Sequence, residues 1–399
     1  MKNLQLFNII GFLKGLYFYF PIFTFFLLAE DVSLSAIVIS QVFYSLFTFI
    51  GEVPTGLFAD RFGQKVSIIT GYVIEAVGII LVVLFPTTIG LYIAYSLRGL
   101  AGACLSGSEE ALIFETVKQS GTNNYQKIYG RFLSNVQLGF IVATASAGFA
   151  YQIWGASAFL PLIVLSAVCF LVAALVSLWL TNYAHKTGET VGTGLFTVLR
   201  DSFSVIRRDR TIFNLTIVGV LTLSGQFFLL SVYQPHFGNN NVSPYWVGAA
   251  LSLGTILSVA TTRYVYLLEK YMTFPTILLI LNVLLGVSYI LLAYVLHPVF
   301  LVALYIFMNG LFNLSLPIVS DYVNSRTRSE IRTTVLSGIS SVQRFFQLLV
   351  TWGLGLSVGI FGIEQSLIIQ GVYLLIGISL GYILLVRCGC AVKIGNRVE

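Results

Sequence analysis

Apolar runs of about 20 residues recur along the whole chain, separated by short polar interruptions. A helix rises about 1.5 Å per residue and satisfies its own backbone hydrogen bonds, so a run of that length crosses about 30 Å of hydrocarbon. Twelve spans are expected, near residues 6–29, 35–58, 66–86, 89–114, 131–153, 156–181, 211–235, 244–268, 274–296, 299–322, 333–359 and 364–387. The runs are too long and too continuous for the alternating strands of a β-barrel. The expected fold is an all-α membrane protein. The first run is full length and has no small-residue cleavage site soon after it, so no cleaved leader is expected.

Six spans precede residue 182 and six follow residue 210, which predicts two six-helix bundles, 1–181 and 211–399, joined by the polar stretch 182–210. Within that stretch Phe196, Leu199, Phe203 and Ile206 recur at helical spacing between basic flanks. The pattern fits a short helix lying at the membrane interface, and also a solvated linker with a few apolar residues. The halves echo one another weakly: Phe114-Glu115 and Gly130-Arg131 in the first correspond to Asp321-Tyr322 and Ile331-Arg332 in the second. Such an echo is expected of two bundles related by an axis along the membrane normal.

Composition agrees with this pattern. The chain has 399 residues, 57% of them hydrophobic and only 10% charged, where a soluble domain carries about 25% charge. Basic residues, among them Arg61, Lys65, Lys118, Lys127, Arg131, Arg207, Arg208 and Arg328, fall on one side of the predicted topology, and the opposite loops hold no Lys or Arg. The positive-inside rule then puts both termini in the cytoplasm and the chain in the cell membrane. Topology thus accounts for the net charge of +6, and no nucleic-acid partner is needed to explain it. Cys104 and Cys169 lie within spans, while Cys388 and Cys390 sit at the cytoplasmic end. No disulfide framework, metal site or cofactor is expected from them.

Charges inside hydrocarbon cost at least about 2.5–3.5 kcal/mol each, so each needs a reason. Lys14 lies half way through span one, Arg98 in span four and Arg344 in span eleven. Acidic counterparts are Glu52, Glu75, Glu109 and Glu110. On span two, Gln41, Ser45, Thr48, Glu52 and Thr55 repeat at helical steps and form one polar stripe, which faces water or a polar partner. Glu52 is thereby placed either to carry a proton or to hold the turn before Pro54 and Gly56. Arg98 and Glu109 share a face of span four with Gly102 between them, fit for coupling or for a pairing of Arg98 with Glu75 or Glu109 that only holds the bundle. A central cavity is expected to draw on Lys14, Gln41, Gln226, Asn309, Asn313, Arg344 and Gln347, with tyrosines and phenylalanines available to stack an organic substrate.

Between spans two and three the chain reads Gly56-Leu57-Phe58-Ala59-Asp60-Arg61-Phe62-Gly63-Gln64-Lys65. This stretch resembles the loop signature of major facilitator superfamily transporters, with Gln64 in place of a usual basic residue. Arg98-Gly99-Leu100-Ala101-Gly102-Ala103 resembles that superfamily's fourth-helix signature, whose arginine is associated with proton coupling. Ser106-Gly107-Ser108-Glu109-Glu110, together with Glu52-x-Pro54-Thr55-Gly56, resembles a bacterial subgroup whose substrates are mostly unassigned. The polar stripe of span two and this fourth-helix signature together make Glu52, Arg98 and Glu109 the expected proton-coupling set. The resemblance also implies a gating latch of Gly56, Asp60, Arg61, Gly63 and Lys65, in which Asp60 faces the backbone near Thr333-Thr334 and Arg61 or Lys65 meets Glu115. The drug-antiport signature of span five is incomplete here: the run Ala143-Thr144-Ala145-Ser146-Ala147-Gly148 has Thr144 where that signature has proline.

The expected function is secondary active transport by alternating access, as proton-coupled export of a small organic molecule or drug. One alternative is proton-coupled uptake of an anionic solute held by Lys14, Arg98 and Arg344. Another is a non-transporting membrane scaffold. Zinc-ligand spacing, a nucleophile elbow and a phosphate loop are absent from the sequence, so no enzyme is expected. The partners expected are a small-molecule substrate, protons and the lipid bilayer, with the protein a monomer.

Overall fold

The computed structural model describes residues 2–119, 125–181, 210–264, 266–269, 271–295, 297–312, 314 and 332–387. Among them every regular element is helical: α1 (Lys2–Gly15), α2 (Phe23–Ala29), α3 (Leu34–Phe62), α4 (Gln64–Leu84), α5 (Thr88–Gln119), α6 (Tyr125–Trp154), α7 (Phe159–Ser177), α8 (Arg210–Asn239), α9 (Pro244–Tyr264), α10 (Tyr266–Glu269), α11 (Phe274–Tyr294), α12 (Pro298–Phe312) and α13 (Arg332–Arg387), with short 3-10 turns at Phe20–Ile22 and Gly155–Ala158. Eight stretches of the described residues are long and apolar enough to cross a membrane. The stretch Tyr125–Ser177 contains both α6 and α7, and Val342–Gly377 contains a kink at Gly362, whose φ of 82° parts two helical segments of α13. Helices α8 and α12 stand where the seventh and tenth spans are expected. The linker helix, Asn313, Asp321, Cys388 and Cys390 lie outside the described residues.

The first span departs from its expectation as one continuous helix. Helix α1 ends at Gly15 and the chain re-enters helix only at Phe20. Pro21 is the cause: it has no N–H for the carbonyl four residues back, and its ring crowds that carbonyl. The freed backbone is satisfied locally, because Phe20 N–H donates to the Tyr17 carbonyl at 3.1 Å and Tyr19 N–H to Ser166 Oγ at 3.2 Å. Non-helical backbone at membrane depth is tolerated where protein re-satisfies it in this way.

The chain divides into two compact units, residues 1–193 with 243–252, and residues 194–242 with 253–399. In the first, α5 packs between α3 and α4, α4 also meets α7, and α1 lies along α6. The α1–α6 approach is close because both helices present glycine: a Cβ on Gly15 would strike the Val136 carbonyl, and one on Gly139 the Phe12 carbonyl. The turn between α3 and α4 needs Gly63, whose φ of 94° few side chains tolerate. Gly56, in contrast, has open space where a Cβ would stand. On α7, Val164, Val168, Leu171 and Leu175 are exposed, a surface suited to acyl chains and costly in water. In the second unit α13 packs on α8 and α11, with polar links such as Thr222 Oγ1 to Asn282 Oδ1 at 2.8 Å and Tyr289 OH to the Gly225 carbonyl at 2.5 Å.

Candidate functional site

The four charged side chains at the heart of the first unit form two separate pairs. Lys14 Nζ on α1 meets Glu109 Oε2 on α5 at 2.5 Å, with side-chain exposures of 24% and 4%. Arg98 Nε on α5 meets Glu75 Oε1 on α4 at 2.9 Å, with exposures of 10% and 6%. The charges survive in the interior because each faces its opposite at hydrogen-bonding distance. Arg98 and Glu109 are eleven residues apart on one helix, about 16 Å along its axis. Arg98 takes its anion from α4 and Glu109 its cation from α1, so no Arg98–Glu109 pair forms.

Tyrosines complete both pairs. Tyr72 OH on α4 donates to Glu109 Oε1 at 2.5 Å, so that carboxylate has one oxygen on Lys14 and the other on Tyr72. Tyr17 OH lies 3.5 Å from Glu75 Oε1. The Arg98 guanidinium also lies over the Tyr95 ring at 5.0 Å and the Tyr19 ring at 5.5 Å, and such cation–π contacts strengthen when desolvated. Gly78 makes room for it, since a Cβ there would collide with the Arg98 side chain at 2.5 Å. The break in the first span places Tyr17 and Tyr19 beside this pair. Of the two partners that the sequence offers Arg98, the structure pairs it with Glu75. Tyr17 stands out in the sequence only as an aromatic able to stack a substrate, and Tyr19 and Tyr72 carry no sequence signal.

Lys14 also stands 5.8 Å from the Phe132 ring of α6. From Phe132 a series of rings continues along α6: Tyr129 at 6.3 Å and nearly parallel, then Tyr125 stacked on Tyr129 at 5.6 Å with 10° between planes. Tyr125 OH donates to Glu110 Oε1 at 3.1 Å. Tyr125 and Tyr129 are half-buried.

Other residues singled out from sequence lie apart from these pairs. Glu52 and Gln41 are half-buried on α3, and the two ion pairs form without Glu52. The polar stripe of α3 is partly spent on other bonds: Thr48 Oγ1 donates to the Gly99 carbonyl of α5 at 3.1 Å, and Thr55 Oγ1 bonds back to the Gly51 carbonyl of its own helix at 2.7 Å. Asp60 and Arg61 are exposed at the end of α3, with Arg61 over Phe62. Lys65 donates to the Leu178 carbonyl at 2.6 Å; neither it nor Arg61 pairs with Glu115, which is half-buried on α5. In the second unit Gln226 and Arg344 are half-buried, Gln347 is buried, and Asn309 Nδ2 lies 3.5 Å from Tyr305 OH. Among the described residues no cluster of His, Cys, Asp and Glu is arranged to hold a metal.

Comparison with known proteins agrees with this architecture. The sequence profile of the Major Facilitator Superfamily matches residues 7–281. The chain is 22% identical over 376 residues to an uncharacterized MFS-type transporter, YxaM, of Bacillus subtilis, covering 90% of each chain. It is 27% identical over 179 residues to the vesicular acetylcholine transporter of Tetronarce californica, covering 44% of this chain and 33% of the relative. Among solved structures it superposes on a point mutant of the nucleoside transporter NupG with a TM-score of 0.79 at 15% identity, covering 96% of this chain and 99% of the other. A peptide transporter POT gives 0.75 at 14% identity, covering 98% and 96%.

Proposed function

Because the chain belongs to the major facilitator superfamily, we propose that it is a proton-coupled secondary transporter of a small organic molecule and that Glu109 is its coupling carboxylate. One observation carries this reading: Glu109 is almost wholly buried and is held between the Lys14 ammonium and the Tyr72 hydroxyl. A carboxylate there stays ionised only while its cation stays beside it; whatever draws Lys14 away leaves a charge in low dielectric, and a proton settles on it. The Arg98–Glu75 pair, closed off by Tyr19 and Tyr95, suits the structural alternative, in which it holds α4 to α5.

The transport cycle is alternating access, with both termini in the cytoplasm and the protein a monomer in the cell membrane. Asp60, Arg61, Gly63 and Lys65 at the α3–α4 turn serve the gate. The charge of the substrate sets the direction. A cation competes with the proton for Glu109 and is exported by exchange, whereas an anion that takes Lys14 binds together with the proton and is taken up. The acetylcholine named for one relative is a cation, but that likeness spans under half of this chain.

Proteoliposomes loaded with a pH-sensitive dye test the coupling. The substrate is first found by thermal-shift screening of metabolites and drugs, since a bound ligand raises stability by mass action. Adding it to one side then moves protons across the membrane in wild-type vesicles. Substrate flux with no accompanying proton movement refutes the reading.

A further inference from the structure

Resting on Glu109 as the coupling group, we propose that the transported substrate is an aromatic monoanion, of the carboxylate type, which takes Lys14 over from Glu109. Of the four paired charges Lys14 alone is substantially reachable, at 24% side-chain exposure against 4% for Glu109, 6% for Glu75 and 10% for Arg98. A solute therefore meets the cation of the Lys14–Glu109 pair first. Arg98 is no competing anchor, because an incoming anion would have to displace Glu75 from a guanidinium covered by the Tyr19 and Tyr95 rings.

The three charge types fare differently at this pair. A cation meets the ammonium as a like charge and must evict it from a 2.5 Å contact before reaching the carboxylate. A neutral molecule does nothing to separate the pair. An anion is drawn to the ammonium, which has three N–H donors and spends one on Glu109. Around Glu109 stand Lys14 on α1 and Tyr72 on α4, with Tyr129 of α6 beside Phe132, the ring next to Lys14. Lys14 is the cation among these groups. Once the anion holds Lys14, Glu109 keeps only the Tyr72 hydroxyl and binds one proton from solvent. The balance is one anion and one proton in, with the ion pair Lys14–Glu109 replaced by the ion pair Lys14–substrate and a neutral carboxylic acid. The loaded site gains no net charge, so an inward proton gradient drives uptake.

The aromatic body follows from α6. Phe132 lies against the Lys14 ammonium, and Tyr129 and Tyr125 extend the ring series away from it with part of their surface free. A flat ring bound through its acid at Lys14 has aromatic surface to lie on. Glu110 at the far end disfavours a second negative group there.

Three probes with one ring and different charges decide the matter: benzoate, benzamide and benzyltrimethylammonium, each against matched sodium chloride. With purified full-length protein, benzoate raises the unfolding temperature saturably and the other two do not. Lys14→Gln loses the benzoate effect, and Lys14→Arg keeps it, which serves as the control should Lys14→Gln fold poorly. In weak buffer benzoate binding takes up about one proton per protein in the wild type and none in Glu109→Gln, following the single-site linkage. Stabilisation by the ammonium, by all three probes or by none overturns the proposal, as does a benzoate shift that survives in Lys14→Gln. Proton-coupled flux of a cation through Glu109 overturns the anion class and leaves the coupling reading intact. Benzoate binding without proton uptake supports the class and overturns the coupling.

Discussion

Replacing Lys14 by Gln strands the Glu109 carboxylate, and the cost can be worked from the structure. At the 2.5 Å contact the two charges attract by about 7 kcal/mol at an effective dielectric near 20; desolvation offsets part of this, and breaking a buried pair from one side costs about 3–5 kcal/mol. The variant can escape by protonating the carboxyl. For an ordinary glutamate at pH 7 that costs about 4 kcal/mol and falls by about 1.4 kcal/mol for each pH unit of acidification. Both routes put Lys14→Gln about 3–5 kcal/mol below wild type at neutral pH. The sign of its pH dependence is fixed: the unfolded carboxyl has no such penalty, so the deficit shrinks as pH falls. Glu109→Gln is milder, because the Lys14 side chain is 24% exposed against 4% for Glu109 and a long lysine can move its head toward a more polar surrounding. The double variant lies within about 1 kcal/mol of wild type, since removing both charges is often neutral. Equilibrium unfolding of the four proteins in mild detergent, from neutral to mildly acidic pH, measures all of this. A Lys14→Gln protein within about 0.5 kcal/mol of wild type and indifferent to pH would refute the reasoning.

The same arithmetic extends elsewhere. Glu75→Gln leaves the Arg98 guanidinium buried without its anion and costs about 3–5 kcal/mol in unfolding experiments, a loss that Glu75→Gln combined with Arg98→Gln largely recovers. Tyr72→Phe removes a hydrogen bond to a charged group and lowers stability by about 1.5–3 kcal/mol; a change below about 0.5 kcal/mol would mean the bond has no weight. Gly63→Ala forces a side chain into a φ of 94° and costs about 1–3 kcal/mol, while Gly56→Ala, with open space around it, stays within about 0.5 kcal/mol of wild type. Gly139→Ala pushes a methyl onto the Phe12 carbonyl and lowers the unfolding temperature through about 1–3 kcal/mol of overpacking.

Span positions were legible along the chain because the bilayer dictates their length, and α4 at Gln64–Leu84 and α11 at Phe274–Tyr294 begin and end close to where the apolar runs do. The break after Gly15 was less so: Pro21 signals it, but the run continues without a polar interruption, so hydropathy reads it as one helix. The charges announced themselves individually, since each is costly in hydrocarbon. Their pairing was legible only as alternatives, Glu75 or Glu109 for Arg98, because the choice depends on how the helices are rotated and stacked. Arg98 and Glu109 share a face of α5, yet Arg98 takes its anion from α4 and Glu109 its cation from α1. Tyr72 was hidden among 21 tyrosines, and nothing in the spacing said that it and Tyr17 would each stand beside a carboxylate. The gate motif at Gly56–Lys65 was the plainest family signal, and it carries no information about the substrate.

The central claim is that Glu109 exchanges a lysine for a proton during transport. Its most direct test compares wild type with Glu109→Gln in proteoliposomes, measuring both pH-gradient-driven accumulation and equilibrium counterflow of the same substrate. The account predicts that Glu109→Gln keeps counterflow and loses accumulation, because the carrier still cycles but no longer binds the coupling proton. Accumulation by Glu109→Gln equal to that of wild type under the same gradient would contradict it.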